Sequence, residues 1–229
     1  MNLRAFLLAA ALLPSTLSLC AQDALEIKES DIDVKLEFVE SPKIGADNVP
    51  PTSSSTLSGS KWLEVSVVFV MPLKADPKTK QPLWIDDMSL TARILLPSDY
   101  RGERVTAMLS GHEVFMSVPC DGKKHRASLY VPHVVLARYA ASDLKLNKTT
   151  AKELPAAVLF QTKQQQPIGA GFCIPRNSSR ANVYTAFKTA DTKLNILRLE
   201  DVIIPRELTP WAHLDFDSYE TPKLIQGSK

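Results

Sequence analysis

Apolar and polar residues alternate along most of this chain. Ile32, Val34, Leu36 and Phe38 are separated by Asp33, Lys35 and Glu37, the period-two pattern of a strand with one buried face. Residues 62–71 (WLEVSVVFVM) are apolar in both phases, which predicts a central strand covered on both sides. Met88, Leu90, Ala92, Ile94 and Leu96 alternate again, and so do residues 105–109, 114–118 and 127–131. Residues 156–163 and 168–174 flank a Gln-rich turn ending at Pro167, as in a β-hairpin. Residues 194–199 and 202–204 are the last strand candidates.

Proline punctuates this pattern. Apolar runs meet Pro72, Pro97, Pro132, Pro175 and Pro205, and a residue without an N–H is expected to end strand pairing there. The intervals are irregular, so no internal repeat is present. Helical signals are few. Pro132 heads HVVLARYAASDLKL, where Val134, Leu136, Ala137, Ala140 and Ala141 fit one apolar face and proline suits the first turn. Residues 182–189 are ambiguous between helix and strand. The expected fold is all-β, an immunoglobulin-like β-sandwich with one short inserted helix.

The N-terminus carries a different signal. Arg4 precedes an uninterrupted apolar run at residues 5–13, Pro14 ends it, and small or polar residues follow to Ala21. This is the layout of a secretory signal peptide, and the run is shorter than the ~20 residues a bilayer-spanning helix needs. Cleavage after Ala21 is expected, with acylation at Cys20 as a rival that Leu19 disfavours. The expected organisation is a signal peptide at 1–21, then a strand with a Ser/Pro-rich loop at 22–60. The sandwich follows at 61–220, and a flexible tail at 221–229. The destination is the periplasm, the outer-membrane surface or the exterior.

Composition narrows the partners. Lys and Arg number 27 against 25 Asp and Glu, a balance that offers no general field for nucleic acid or anionic membranes. Export leaves Cys120 and Cys173 as an even pair in an oxidising compartment, where a structural disulfide is expected.

Candidate chemistry is sparse. His112, His125, His133 and His213 match no closed zinc spacing, and Gly-x-Ser-x-Gly is absent. Ser58 to Lys61 and Ser142 to Lys145 satisfy Ser-x-x-Lys without that motif's companion elements. Gly169 and Gly171 are expected at a bulge or a close strand crossing beside Cys173. Asp215 and Asp217 alternate on a terminal segment near Glu220, as on a solvated face. Neither a catalytic residue, a cofactor site nor a metal site is assigned. Trp62 and Trp84 fall in apolar strands and are expected in the core. Trp211 and Tyr219 are the candidate ligand-contact aromatics, suited to a glycan.

The most individual stretch is LNILRLEDVIIPRELTPWAHLDFDSYE, residues 194–220, with Pro205-Arg206-Glu207 and Thr209-Pro210-Trp211. With WLEVSVVFVMP at 62–72, it resembles small secreted proteins of Verrucomicrobia linked to type IV pilus gene clusters. The resemblance covers residues 62–220. It implies an immunoglobulin-like fold and a role in pilus assembly or at the cell surface, with protein partners and no catalytic residues. The lack of a prepilin leader favours an accessory component over the fibre subunit.

Overall fold

A computed structural model describes residues 25–42, 60–193, 196–212, 214 and 218–222. The expected signal peptide, Cys20, most of the Ser/Pro-rich loop, His213, Asp215, Asp217 and the end of the tail lie outside these residues.

Two sheets pack face to face. The first has the order β1-β2-β5-β9. It is built from β1 (Ile32–Glu40), β2 (Lys61–Val70), β5 (Lys124–Val131) and the short β9 (Ile204–Pro205). The second has the order β7-β6-β3-β4-β8. Its members are β3 (Trp84–Tyr100), β4 (Glu103–Pro119), β6 (Ala156–Gln161), β7 (Pro167–Cys173) and β8 (Ile196–Leu199).

The neighbours of β1, β2 and β5 are those of strands A, B and E in an immunoglobulin sandwich. The neighbours of β3, β6 and β7 are those of C, F and G, with β4 beside C as C′. Position D, next to E, is taken by β9 from the far end of the chain. All pairings are antiparallel except β4 with β8.

Alternation sets the core. Ile32, Val34, Leu36 and Phe38 of β1 are buried, and Leu63, Val65, Val67 and Phe69 of β2 are fully enclosed. They face Met88, Leu90, Ala92, Ile94 and Leu96 across the sandwich. The expected central strand is β2, paired with β1 on one side and β5 on the other. The expected hairpin is β6–β7.

The structure departs from expectation in three respects. Pro97 does not end its strand but lies inside β3, opposite Thr106. Its missing N–H costs nothing because β6 pairs with β3 only as far as Ile94. Helices number three among the described residues rather than one. They are α1 (His133–Tyr139), which starts after Pro132 as expected, the single turn α2 (Lys148–Ala151), and α3 (Arg180–Thr192). Ser179 caps α3 by accepting from the Asn182 N–H, and Arg198 donates to the carbonyls of Ala190 and Asp191 at its other end. Val183, Phe187 and Ala190 form the apolar stripe of α3, against Leu95 and Met108 on the outer face of the second sheet.

The third departure concerns Cys120 and Cys173, which are both free thiols. Pro119 is opposite Trp84 at one end of β3, whereas Cys173 aligns through Ala156 with Ile94. Ten residues of strand at ~3.3 Å each place them about 30 Å apart, and a bridge requires Cα atoms within ~7 Å. Strand register therefore prevents the expected disulfide. Burial pushes both thiols up from their ordinary pKa, which suppresses the reactive thiolate.

Each long edge of the sandwich is drawn together by a close crossing at a glycine. At the β1–β7 edge, a Cβ at Gly171 would lie 2.4 Å from the Ile32 side chain, so this is the close crossing expected beside Cys173. At the opposite edge, a Cβ at Gly111 would lie 1.8 Å from the Ile203 carbonyl oxygen. There the chain leaves β8 in the second sheet, crosses β4, and enters β9 in the first. The N–H groups of Val202 and Ile203 both donate to the Ser110 carbonyl at 3.0 and 3.2 Å.

Gly111→Ala is expected to cost about 3 kcal/mol in denaturant unfolding, because the obstructing atom is backbone and cannot swing away. Gly102→Ala, where a Cβ meets nothing within 4 Å but φ is +82°, is the milder comparison at about 1 kcal/mol.

Candidate interaction site

The C-terminal segment brings together most of the chemistry-bearing side chains. On the outer face of the first sheet, the period of two places Trp62, Glu64, Ser128 and Tyr130 together. Glu64 faces Tyr130 across the strands and accepts hydrogen bonds from the Ser128 and Tyr130 hydroxyls at 2.9 and 3.2 Å. Trp211 lies flat on Tyr130, with centroids 4.7 Å apart and planes 9° from parallel. Its ring also meets Trp62 edge-on at 5.4 Å. Trp62 in turn donates its indole N–H to Ser41 Oγ at 2.8 Å.

Trp62 is thus buried as expected, but beneath the C-terminal segment rather than between the sheets. Burial, with the negative charge of Glu64 next, pushes the Tyr130 phenol far above its ordinary pKa. It is a hydrogen-bond donor and not an ionisable group at any physiological pH.

Arg206 is the hub of the segment and only 3% exposed. Its guanidinium sits 4.1 Å from the centre of the Tyr219 ring, a cation–π contact strengthened by exclusion of water. Its charge also acts on Glu113. Glu113 is a carboxyl in the inward phase of β4, between Gly111 and Phe115, and is 5% exposed. Burial first, then the neighbouring carboxyl of Glu207, hold Glu113 well above the usual carboxylate range, with Arg206 opposing. Burial and the adjacent carboxyl together favour the protonated form of Glu113, and its Oε2 has no hydrogen-bond partner among the described residues.

A second polar contact ties down the chain end. His125 is buried, stacked on Phe69, and placed between Asp121 at 3.0 Å and Glu220 at 2.5 Å. Burial alone would lower its pKa, but the two carboxylates outweigh that and raise it. Glu220 also donates its N–H to the Arg126 carbonyl, and Met116 donates to Thr221. The segment therefore bridges β4 and β5 at the open edge of the sandwich.

Other sequence candidates lie apart. His112 meets Asp201 at 3.4 Å on the surface, and His133 packs on Trp62 with centroids 5.8 Å apart. Ser142 donates its N–H and hydroxyl to Asp99. Trp84, expected in the core, is instead 60% exposed, because the strand phase changes at Asp87, whose φ is +55°, so that Ile85 and not Trp84 packs on the core. Trp211 and Tyr219 do enter one cluster, but half-buried and engaged by Tyr130 and Arg206. Among the described residues, no group of three or more His, Cys, Asp and Glu side chains is placed to hold a metal ion. An apolar hollow beside α3, walled by Val158, Phe172 and Phe187, encloses about 130 Å³, below the ~300 Å³ typical of small-molecule sites.

These features define an immunoglobulin-like sandwich whose C-terminal segment closes one edge with a buried polar and aromatic cluster. A family model matches residues 21–225, and the chain belongs to that family. A crystal structure of a protein from Akkermansia muciniphila is similar in fold, with a TM-score of 0.60 and 15% identity. The alignment covers 84% of this chain and 91% of that one. No curated protein matches the chain.

The raised pKa of Glu113 sets a sign for pH dependence. A carboxyl whose folded pKa exceeds its unfolded value contributes stability at low pH, and this is lost as pH rises through the folded pKa. His125, also raised, loses its contribution as pH rises through its own folded pKa. Glu113→Gln keeps a donor toward Glu207 without needing a shared proton. The variant is expected to melt several degrees above the wild type at neutral and alkaline pH, and the gap should close toward acid. Parallel melting profiles across pH would show that Glu113 does not titrate with folding.

Proposed function

We propose that the protein is a non-enzymatic, exported component of the cell surface or of a type IV pilus system, acting through protein–protein contacts. The family match over residues 21–225, with the resemblance of residues 62–72 and 194–220 to pilus-linked secreted proteins, is the observation that carries this reading. The sandwich supports it by supplying strand edges, at β7 and β8, of the kind that partner chains extend. Among the described residues, no helix is long and apolar enough to cross a membrane. The export layout expected at residues 1–21 supports a site of action in the periplasm, on the outer-membrane surface or outside the cell.

A carbohydrate-binding module or adhesin was the other class suggested by Trp211 and Tyr219. Glycan recognition needs an aromatic face open to solvent. Trp211 spends one face on Tyr130, and Tyr219 receives the guanidinium of Arg206. Protein contacts are therefore preferred to a glycan.

Crosslinking and affinity capture of the tagged protein from its native cells, with sheared surface fibres analysed in parallel, tests this role. Recovery with pilins or pilus-assembly proteins is expected. Recovery with envelope polysaccharide and no pilus component would replace the proposal with the adhesin.

A further inference from the structure

The end of the sandwich formed by the β2–β3 and β4–β5 connections carries a surface that neither the family nor the C-terminal cluster accounts for. Three backbone hydrogen bonds close a ring there. Leu83 donates to Lys74 at 2.9 Å, Lys74 to Cys120 at 2.9 Å, and Cys120 to Leu83 at 2.7 Å. Beyond the ring, Ala75 bridges to Pro82, and the turn is fixed by Asp76, whose carboxylate accepts from the Lys78 and Thr79 N–H groups. The hairpin is thus held at its base and at its tip.

Apolar side chains stand exposed around this ring. Leu73 is 75% exposed, Trp84 60% and Leu83 43%. Leu73 rests against Gly122, where an added Cβ would lie 3.3 Å away, so both connections share one surface. Large apolar groups left in water on a braced projection mark a contact site.

The surrounding charge indicates what meets it. Residues 72–84 and 119–124 contain Lys74, Lys78, Lys80, Lys123 and Lys124 against Asp76 and Asp121. Asp76 is engaged by its own turn and Asp121 by His125, with Lys123 also 3.9 Å from Asp121, while Lys78, Lys80, Lys123 and Lys124 are exposed. The near balance of the whole chain conceals this local excess. Every cation here is lysine. Protein interfaces favour Arg and deplete Lys, whereas lysines around a Trp-bearing apolar tip suit a phospholipid surface. There Trp occupies the headgroup boundary and Lys stems reach out to phosphate.

We propose that this end of the sandwich binds an anionic phospholipid surface. Leu73 and Trp84 enter the interfacial layer, and the exposed lysines lie at the level of the phosphates. The association is peripheral and independent of the pilus reading.

Vesicle co-sedimentation and tryptophan emission of the purified protein test this, using phosphatidylcholine vesicles with and without phosphatidylglycerol. Binding to the anionic vesicles is expected, with a blue shift in emission and weakening as salt rises. Leu73→Ser with Trp84→Ser should lower that binding about tenfold or more. Lys78→Glu with Lys80→Glu should lower it similarly while leaving the apolar tip intact. Both variants alter exposed positions, and unchanged melting would confirm folding. Failure to bind anionic vesicles at low salt, or equal binding by wild type and folded variants, would overturn the proposal. Capture of an acidic envelope protein by wild type but not by the variants, without vesicle binding, would assign the surface to a protein partner instead.

Discussion

A two-layer sandwich is open along both of its long edges, and closing them is the constraint on which this structure depends. Strands in facing sheets lie ~10 Å apart, so an edge closes only where one strand gives up its side chain to let the other approach. The chain meets this at Gly171, against Ile32, and at Gly111, against Ile203. The second crossing matters more, because everything after it depends on it. By passing over β4 there, the chain moves from the second sheet to the first and places β9 beside β5. It also delivers Arg206, Glu207 and Trp211 to positions that no other part of the chain supplies.

That delivery has an electrostatic cost. Bringing Arg206 and Glu207 to Glu113 leaves Arg206 and Glu113 buried and Glu207 half-buried, and removing charges from water is expensive unless they are paired. The arrangement reduces the cost by favouring the protonated form of Glu113 and by giving the guanidinium an aromatic face at Tyr219. His125 between Asp121 and Glu220 repeats the solution a few residues along the same edge. The residues that carry the family resemblance, Pro205-Arg206-Glu207, Thr209-Pro210-Trp211 and Tyr219, are therefore the ones that close the sandwich. Their distinctiveness follows from architecture and does not require a ligand.

This explains what was legible in the sequence. Strand alternation is a local signal, and β1, β2 and the β6–β7 hairpin follow directly from it. The inserted helix α1 was visible through Pro132. The helix α3 was obscured because Asn182, Tyr184, Thr185 and Thr189 are indifferent helix formers, and its stability comes from packing on Leu95 and Met108. The pairing of Cys120 with Cys173 failed because the cysteine count says nothing of register, and register sets them far apart on one sheet. Trp84 was misplaced because the phase of β3 changes at Asp87, and alternation read from residues 88–96 does not carry across it. The buried polar cluster left one trace, Glu113 standing in the apolar phase of β4. Its partners are some ninety residues away, and only the fold brings them together.

The central claim is that the C-terminal segment is an integral wall of the sandwich and not an appended tail. Native-state hydrogen exchange at Val202 and Ile203, whose amides both bond to Ser110, tests it most directly. The account predicts that these amides exchange only through global unfolding, as slowly as those of β2. Rapid exchange there, with β2 and β3 still protected, would contradict it and would make the segment a detachable strap.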